Sequence, residues 1–417
     1  MRLPAGRLGV LAERDFRFVF LAGAVSQIGD QMMPVAIAFA VLDLTGSSAD
    51  LGYVLAAGTA PLVALLLAGG VFADRLPRRV LMFSADAVRL ATDGTLAALL
   101  LSGHARLWHL IVLQAVHGAA SAFFGPASTG IVPQLVPEHG LQQANALRGM
   151  TMSVGGIVGP AIAGTLVATV GSGWAVAGNA ATFAVSALFL FRVHAPALQR
   201  TADAPTFFSD LIHGWREFKA RRWLWTIVAQ TSLLHLIAIA PFFALGAVIA
   251  KRSLGGAGAW ALILAVFAVG TLVGSAVSLR YRARRPLVTA TVWCAALALP
   301  IMLLALRLDA PVIAAGAFVA GVGLSIFEAL WSTTLQREVP REALSRVSAY
   351  DWFGSIATLP IGFALAGVVA GAIGATTVLW IGAASVLVLA AAVLAVPDVR
   401  RMESRAIPSP DAEVRPV

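Results

Sequence analysis

Two acidic residues stand where a charge is expensive. Asp30 lies near the middle of the apolar run 17–42, and Glu328 lies inside the run 311–335. A charged side chain at the centre of a bilayer costs about 2.5–3.5 kcal/mol on insertion scales, so an acid kept there has a partner or a task. Neither has an oppositely charged residue within two turns of its own run. A carboxyl group in apolar surroundings that meets a cation lets proton and cation compete for one site, the minimal chemistry of an antiporter. Asp30 and Glu328 are therefore the candidate proton-coupling residues.

Each belongs to a polar stripe at helical spacing. Gln27, Asp30, Gln31 and Pro34 follow i, i+3, i+4, i+7; Gly321, Ser325, Glu328 and Ser332 share a face, with Phe327 and Trp331 adjoining. Two other runs carry shorter stripes, Gln114 with His117 and Ser121, and Thr231 with His235. Plainer roles compete. Gln and His also link membrane helices by hydrogen bonds. Phe123, Phe124, Phe242 and Phe243 read as packing. Asp86, Arg89 and Asp93, at i, i+3 and i+7, read as a structural ion pair along one helix face.

The elements that hold these residues follow from composition. The chain is 59% hydrophobic and only 12% charged, with a mean hydropathy of +0.84, which no single aqueous core accommodates. Twelve apolar runs have bilayer length: 17–42, 48–73, 80–101, 107–132, 149–170, 174–191, 223–247, 258–279, 287–306, 311–335, 352–372 and 376–396. The backbone must satisfy itself in lipid, so these are predicted to be helices of an all-α membrane protein. With both termini on one side, only four of the 30 Lys and Arg (Arg106, Lys251, Arg252, Arg307) fall in the opposite loops, and Arg89 falls within the third helix. The positive-inside rule then predicts both termini in the cytoplasm of a multi-pass inner-membrane protein. Trp108, Trp174, Trp260 and Trp380 fall at the outer ends of helices, where an interfacial belt is expected. The first run is too long for a signal-peptide core and is expected to stay as a membrane helix.

The polar stretch 192–222, with Pro196, Pro205 and an amphipathic piece 207–218, divides residues 1–191 from 223–396; residues 397–417 form a polar tail. The expected organisation is an N-terminal six-helix bundle, a linker on the inner membrane face, a C-terminal six-helix bundle and a cytoplasmic, disordered tail. An internal repeat supports the division. Val136-Pro137 followed by Leu141 recurs as Val339-Pro340 followed by Leu344, and Gly159-Pro160 corresponds to Leu359-Pro360.

Between the second and third runs stands Gly70-Val71-Phe72-Ala73-Asp74-Arg75-Leu76-Pro77-Arg78-Arg79. It resembles the G-x-x-x-D-R-x-x-R-R signature of the major facilitator superfamily, with Pro77 where that family usually has Gly. Gly155-x-x-x-Gly159-Pro160-x-x-Ala163-Gly164 resembles the same family's antiporter motif, with Ala163 in place of a Gly. Pro126 to Arg148 and Trp331 to Asp351 resemble its drug and siderophore exporter subgroup. The resemblance implies two pseudo-symmetric six-helix bundles of the major facilitator fold. It implies a conformational latch at Gly70, Asp74, Arg75, Arg78 and Arg79, and an interface between the halves at the Gly155, Gly159, Pro160, Gly164 surface. It also implies a central cavity lined by helices 1, 4, 7 and 10, hence by Gln27, Gln31, Gln114, His117, His235, Phe327 and Trp331. Where the family usually has an Arg in helix 4, this chain has Gln114, so no proton-relay role is carried to that position.

Other classes lack their residues. The net charge of +9 is scattered in short pieces and forms no continuous basic face for nucleic acid. The one cysteine, Cys294, can form no disulfide within the chain, and no metal-ligand spacing occurs. There is no H-E-x-x-H, G-x-S-x-G or G-x-x-x-x-G-K, so neither an enzyme nor an ATP-driven carrier is expected. The expectation is a monomeric carrier without cofactor, its partners being protons, lipid and one small amphiphilic or apolar compound that it exports. An importer of a nutrient on the same fold and a receptor without transport are the alternatives.

Overall fold

The computed structural model describes residues 9–137, 140–194, 215–281 and 283–403. Among them every regular element is helical. The long helices are α1 (Arg14–Thr45), α2 (Ser48–Arg75), α3 (Arg78–Leu101), α4 (Leu107–Leu135), α5 (Leu141–Thr169), α6 (Ser172–Phe191), α7 (Arg222–Leu254), α8 (Ala257–Ser278), α9 (Pro286–Ala305), α10 (Ala310–Glu338), α11 (Arg341–Ile356 continued by Leu359–Ile373) and α12 (Ala375–Ala395). Each of the twelve predicted runs falls on one of them. Eleven are long and apolar enough to cross a membrane. The twelfth, α3, carries Arg78, Arg79, Asp86, Arg89 and Asp93 in its 24 residues. At 1.5 Å per residue it is still about 36 Å long.

The helices form two bundles that repeat one packing scheme. In the first, α1 packs on α5 and α6, α3 on α4 and α6, and α2 on α4. In the second, α7 packs on α11 and α12, α9 on α10 and α12, and α8 on α10. Each contact recurs six helices later, as parallel repeats require. The halves meet through α2 with α11 and α5 with α8. Small residues allow it: Gly52 lies against Phe363 O, Gly367 against Ser48 O, and Gly164 against Ala261.

The Val-Pro repeat has a structural meaning. α4 and α10 end at Val136 and Val339, both extended before a proline (φ −130°, ψ 135° and φ −102°, ψ 130°); Pro340 is the N-cap of the next helix, whereas α5 starts at Leu141 behind Gly140. The second repeat diverges. Pro160 lies inside an uninterrupted α5, whereas α11 breaks at 357–358 just before Pro360. Thr358, at the break, bonds Ser232 of α7, and α7 itself carries a π-helical turn, His235–Ile239, beside it.

One expected belt residue is not in the belt. Trp108, Trp174 and Trp380 are exposed, but Trp260 is buried against Phe242, Phe243 and Gly246. It sits one turn inside α8, where α7 offers a cleft, so packing rather than the interface fixes it. Of the amphipathic piece 207–218, residues 215–218 are described; Trp215 stacks on Phe218, and both rings meet Tyr350 of α11. The rest of that piece, most of the linker, and tail residues 404–417 lie outside the described residues.

Candidate proton and substrate site

The sequence leaves Asp30 without a local partner; the fold supplies one from another helix. Arg89 Nη1 lies 3.3 Å from Asp30 Oδ2. Asp30 is the seventeenth of 32 residues in α1 and Arg89 the twelfth of 24 in α3, so the pair sits at mid-helix on both. Arg89 is 2% exposed and also bonds Asp86, which is fully buried. Asp30 is 33% exposed, the most open member.

The network continues along α3 in two layers. Asp86 and Asp93, seven residues apart, stand about 10.5 Å apart on one face. α6 runs antiparallel and meets them at the same spacing: Ser186 Oγ donates to Asp86 Oδ2 at 2.6 Å, and Asn179 Nδ2 donates to Asp93 Oδ2 at 2.7 Å. α4 does likewise. His117 Nδ1 lies 3.0 Å from Asp93 Oδ1, and Phe124, seven residues on, faces Arg89. The Arg89 guanidinium is held between the rings of Phe124 and Phe183, 4.3 Å from each centroid. Such contacts stabilise a desolvated cation. Its Nε finds no hydrogen-bond partner among the described residues. The i, i+3, i+7 pattern on α3 is thus split: Arg89 takes Asp86, while Asp93 turns to α4 and α6.

The polar stripe on α1 is split too. Gln27 and Gln31 face α5, where Gly155 and Gly159 admit them. A Cβ on Gly159 would stand 2.6 Å from Gln31 Cβ and 2.7 Å from Ile28 O. Gly155, Gly159, Pro160 and Gly164 are all buried, and their helix touches α1 on one side and α8 on the other. Gln114 lies against Gly58 of α2, and its Nε2 is buried without a partner among the described residues.

In the second half the aromatic candidates move into the core. Phe327 and Trp331 are 5% and 6% exposed, their rings stack on each other, and Trp331 meets Trp223 edge-on. The structure therefore places them behind the interior surface rather than on it, since their positions on α10 face α7 and α9. Only the indole Nε1 reaches out, donating to Asp351 Oδ2 at 3.0 Å. Glu328 is exposed, within electrostatic reach of Asp351. It lies nine residues from the exposed Val319, half a turn round the helix and so on the opposite face. His235 Nδ1 lies 2.9 Å from Thr231 O on its own helix.

For the expected latch, Gly70, Asp74 and Arg75 form the last turns of α2, and the side chains of Asp74 and Arg75 lie outside those described. Arg79 donates to Leu190 O and Phe191 O at 2.9 and 2.6 Å, and Arg78 to Gly130 O. These guanidinium groups tie the start of α3 to carbonyls of α4 and of the last turn of α6. No cluster of metal-ligating side chains occurs among the described residues.

Comparison with known proteins adds to this geometry. Residues 19–359 match the family model described as Major Facilitator Superfamily. The chain is 24% identical to macrolide efflux protein A of Streptococcus pyogenes over 86% of this chain and 90% of that one. It is 25% identical to the multidrug efflux pump Tap of Mycolicibacterium fortuitum over 85% and 89%. The crystal structure of the nucleoside transporter NupG superposes with a TM-score of 0.70 over 93% of this chain and 99% of that one, at 14% identity, a likeness of fold alone. Twelve long helices among the described residues, in two repeated bundles, the signature across the end of α2 and the start of α3, and a family match over most of the length agree: this chain is a membrane transporter of the major facilitator superfamily.

Proposed function

We propose that the chain is a proton-driven efflux carrier that exports a small amphiphilic or apolar compound by alternating access. The observation that carries the proton coupling is Asp30: a one-third-exposed carboxyl at the midpoint of α1, paired with an arginine that already has a second, buried acid. Protonation of Asp30 would release it from Arg89 without leaving that cation unpaired, so the exchange is cheap on both sides. Glu328, exposed on the face of α10 away from Val319, would meet the substrate or a second proton from the other half. The efflux direction rests on the two relatives above, whose names are those of efflux proteins.

The halves touch at the end that carries the α1–α2 and α7–α8 turns. Lys251 Nζ lies 2.5 Å from Asp43 Oδ1, and Arg252 Nη2 lies 3.5 Å from Gly46 O. With the termini in the cytoplasm, this is a carrier closed to the outside.

The test is flux in proteoliposomes with ethidium as the probe. An imposed pH gradient should drive wild-type transport. Asp30→Asn should lose gradient-driven flux by at least tenfold while keeping ethidium exchange, and Glu328→Gln should lose less. Full gradient-driven flux in both variants would sink the assignment.

A further inference from the structure

The network around Arg89 contains more acid than base. Asp30, Asp86 and Asp93 would carry three negative charges when ionised, against one positive charge on Arg89. With His117 neutral and all carboxyls ionised the cluster would hold a net charge of −2 at mid-helix, where uncompensated charge is most costly. It is neutral with two protons aboard, wherever they sit.

The surroundings supply no other compensation. Facing the cluster, α1 offers Asp30 and α4 offers His117, while α6 (Ser172–Phe191) has no titratable side chain. α2 has its charges near its ends, at Asp50, Asp74 and Arg75. The one charge on α5, Arg148, bonds Ser128 and Thr129 further along α4.

Two places for the protons are distinct in geometry. Asp30 is the open carboxyl, with no hydrogen bond besides Arg89 among the described residues. Asp86 and Asp93 are each held at both oxygens, Asp86 by Arg89 and Ser186, Asp93 by His117 and Asn179. The second acceptor is therefore the His117 ring. With Nδ1–H donating to Asp93, its Nε2 takes the proton and the ring becomes an imidazolium paired with Asp93. His117 is 13% exposed and Asp93 1%, so the ring is the side of that pair a proton can reach.

We propose that this cluster is a two-proton store, with one proton on Asp30 and one on the His117–Asp93 pair, joined electrostatically through Arg89. The inference rests on the proton-coupled reading above and extends it from one exchangeable proton to two. Neither residues nor spacing on α3 alone suggests it, because the three carboxyls belong to two helices and the imidazole to a third.

The experiment is a difference acid–base titration of purified protein in nanodiscs between about pH 5 and 8, where imidazole changes charge. Wild type is compared with Asp30→Asn, His117→Gln and the double variant. The glutamine amide can still donate to Asp93, so His117→Gln can keep that hydrogen bond; Thr165→Ala, at an exposed position of α5 whose hydroxyl bonds Ala161 O of its own helix, leaves every charge in place and serves as the control. Each single variant should take up one proton fewer than wild type and the double variant two fewer, with the control unchanged. In parallel, NMR of histidine-labelled protein should show one ring titration that His117→Gln removes, a readout independent of transport. Equal uptake by wild type and His117→Gln, with no ring titration lost, overturns the inference and leaves His117 a structural hydrogen-bond donor. Loss of a proton in His117→Gln but not in Asp30→Asn overturns instead the assignment of coupling to Asp30.

Discussion

The two halves repeat a packing scheme but not a chemistry. Among the described residues, the first half buries Ser26, Asp86, Arg89, Thr92, Asp93, Ser172, Asn179 and Ser186, and Asp86, Asp93, Asn179 and Ser186 of these belong to the network around one guanidinium. Among the described residues the second half buries only Gln230, Thr291 and Thr334 as polar residues, and fills its interior with Trp223, Phe242, Trp260, Phe327 and Trp331. α9, the repeat counterpart of α3, carries Cys294 and no charge along Pro286–Ala305. The difference shows that this fold asks of its sequence only helix length and small residues at the crossings. The interior of each bundle is free to be a wired ionic core or an aromatic one. Backbone irregularity is divided the other way: the aromatic half has the π-helical turns of α7 and the break in α11, the ionic half continuous α1 and α5. The wired half reads as the rigid one and the aromatic half as the one that can bend.

That comparison can be broken first at Arg89. Arg89→Leu leaves Asp86 buried with only Ser186 as partner, and removing one member of a buried pair typically costs about 3–5 kcal/mol. The purified variant should lose its monodisperse peak well below the wild-type melting temperature. Replacing Asp86 by Leu as well should recover most of the loss. The matching change in the second half, Trp331→Phe, removes one indole hydrogen bond and little volume, and should cost about 1 kcal/mol. Equal losses from Arg89→Leu and Trp331→Phe would mean that the ionic core is no more committed than the aromatic one.

A second test concerns the α1–α5 crossing inside the first bundle. At Gly159 even a Cβ would stand 2.6 Å from Gln31 Cβ, so Gly159→Leu must push α1 and α5 apart. Overpacking typically costs about 1–3 kcal/mol, which a membrane bundle can survive, but the movement of α5 between α1 and α8 should be lost. Ethidium flux should fall to background in a variant that still purifies as a folded protein. Normal flux would show that the small-residue face is composition rather than a bearing.

How much of this is legible in the sequence depends on which interaction carries it. The twelve helices follow from local quantities, apolar length and the side on which Arg gathers, so they are readable one segment at a time. Even α3 is readable, because its five charges are spaced to leave an apolar remainder. The partner of Asp30 is not readable. The i, i+3, i+7 spacing of Asp86, Arg89 and Asp93 shows that they share a face, but which acid Arg89 prefers depends on how α3 is rotated against α1, α4 and α6. Trp260 and Trp331 mislead for the same reason. An aromatic near a helix end or beside a polar stripe looks functional until the neighbouring helix, with Gly246 or Trp223, is seen to receive it.

The smallest expected effect lies where the halves meet at the α1–α2 end. The Lys251–Asp43 pair is 34% and 53% exposed, and pairs this open contribute about 0–1 kcal/mol. Within one bundle that would scarcely register. Between two bundles that must separate, the same energy enters the opening equilibrium directly, and up to 1 kcal/mol changes a population by up to about fivefold. The native Cys294 is 4% exposed, so a cysteine introduced at Ser48, whose carbonyl lies against Gly367 of α11, would be labelled over a low background. Lys251→Ala should raise the labelling rate at that position by about two- to fivefold without changing the melting temperature. Exchanging the charges, Lys251→Asp with Asp43→Lys, should restore the wild-type rate, whereas either change alone should not. High salt should shrink the difference, because the screening length falls to about 3 Å at 1 M. An unchanged labelling rate in Lys251→Ala would leave the closure at that end to the α2–α11 and α5–α8 crossings and the Arg252–Gly46 bond, and the ion pair as a bystander.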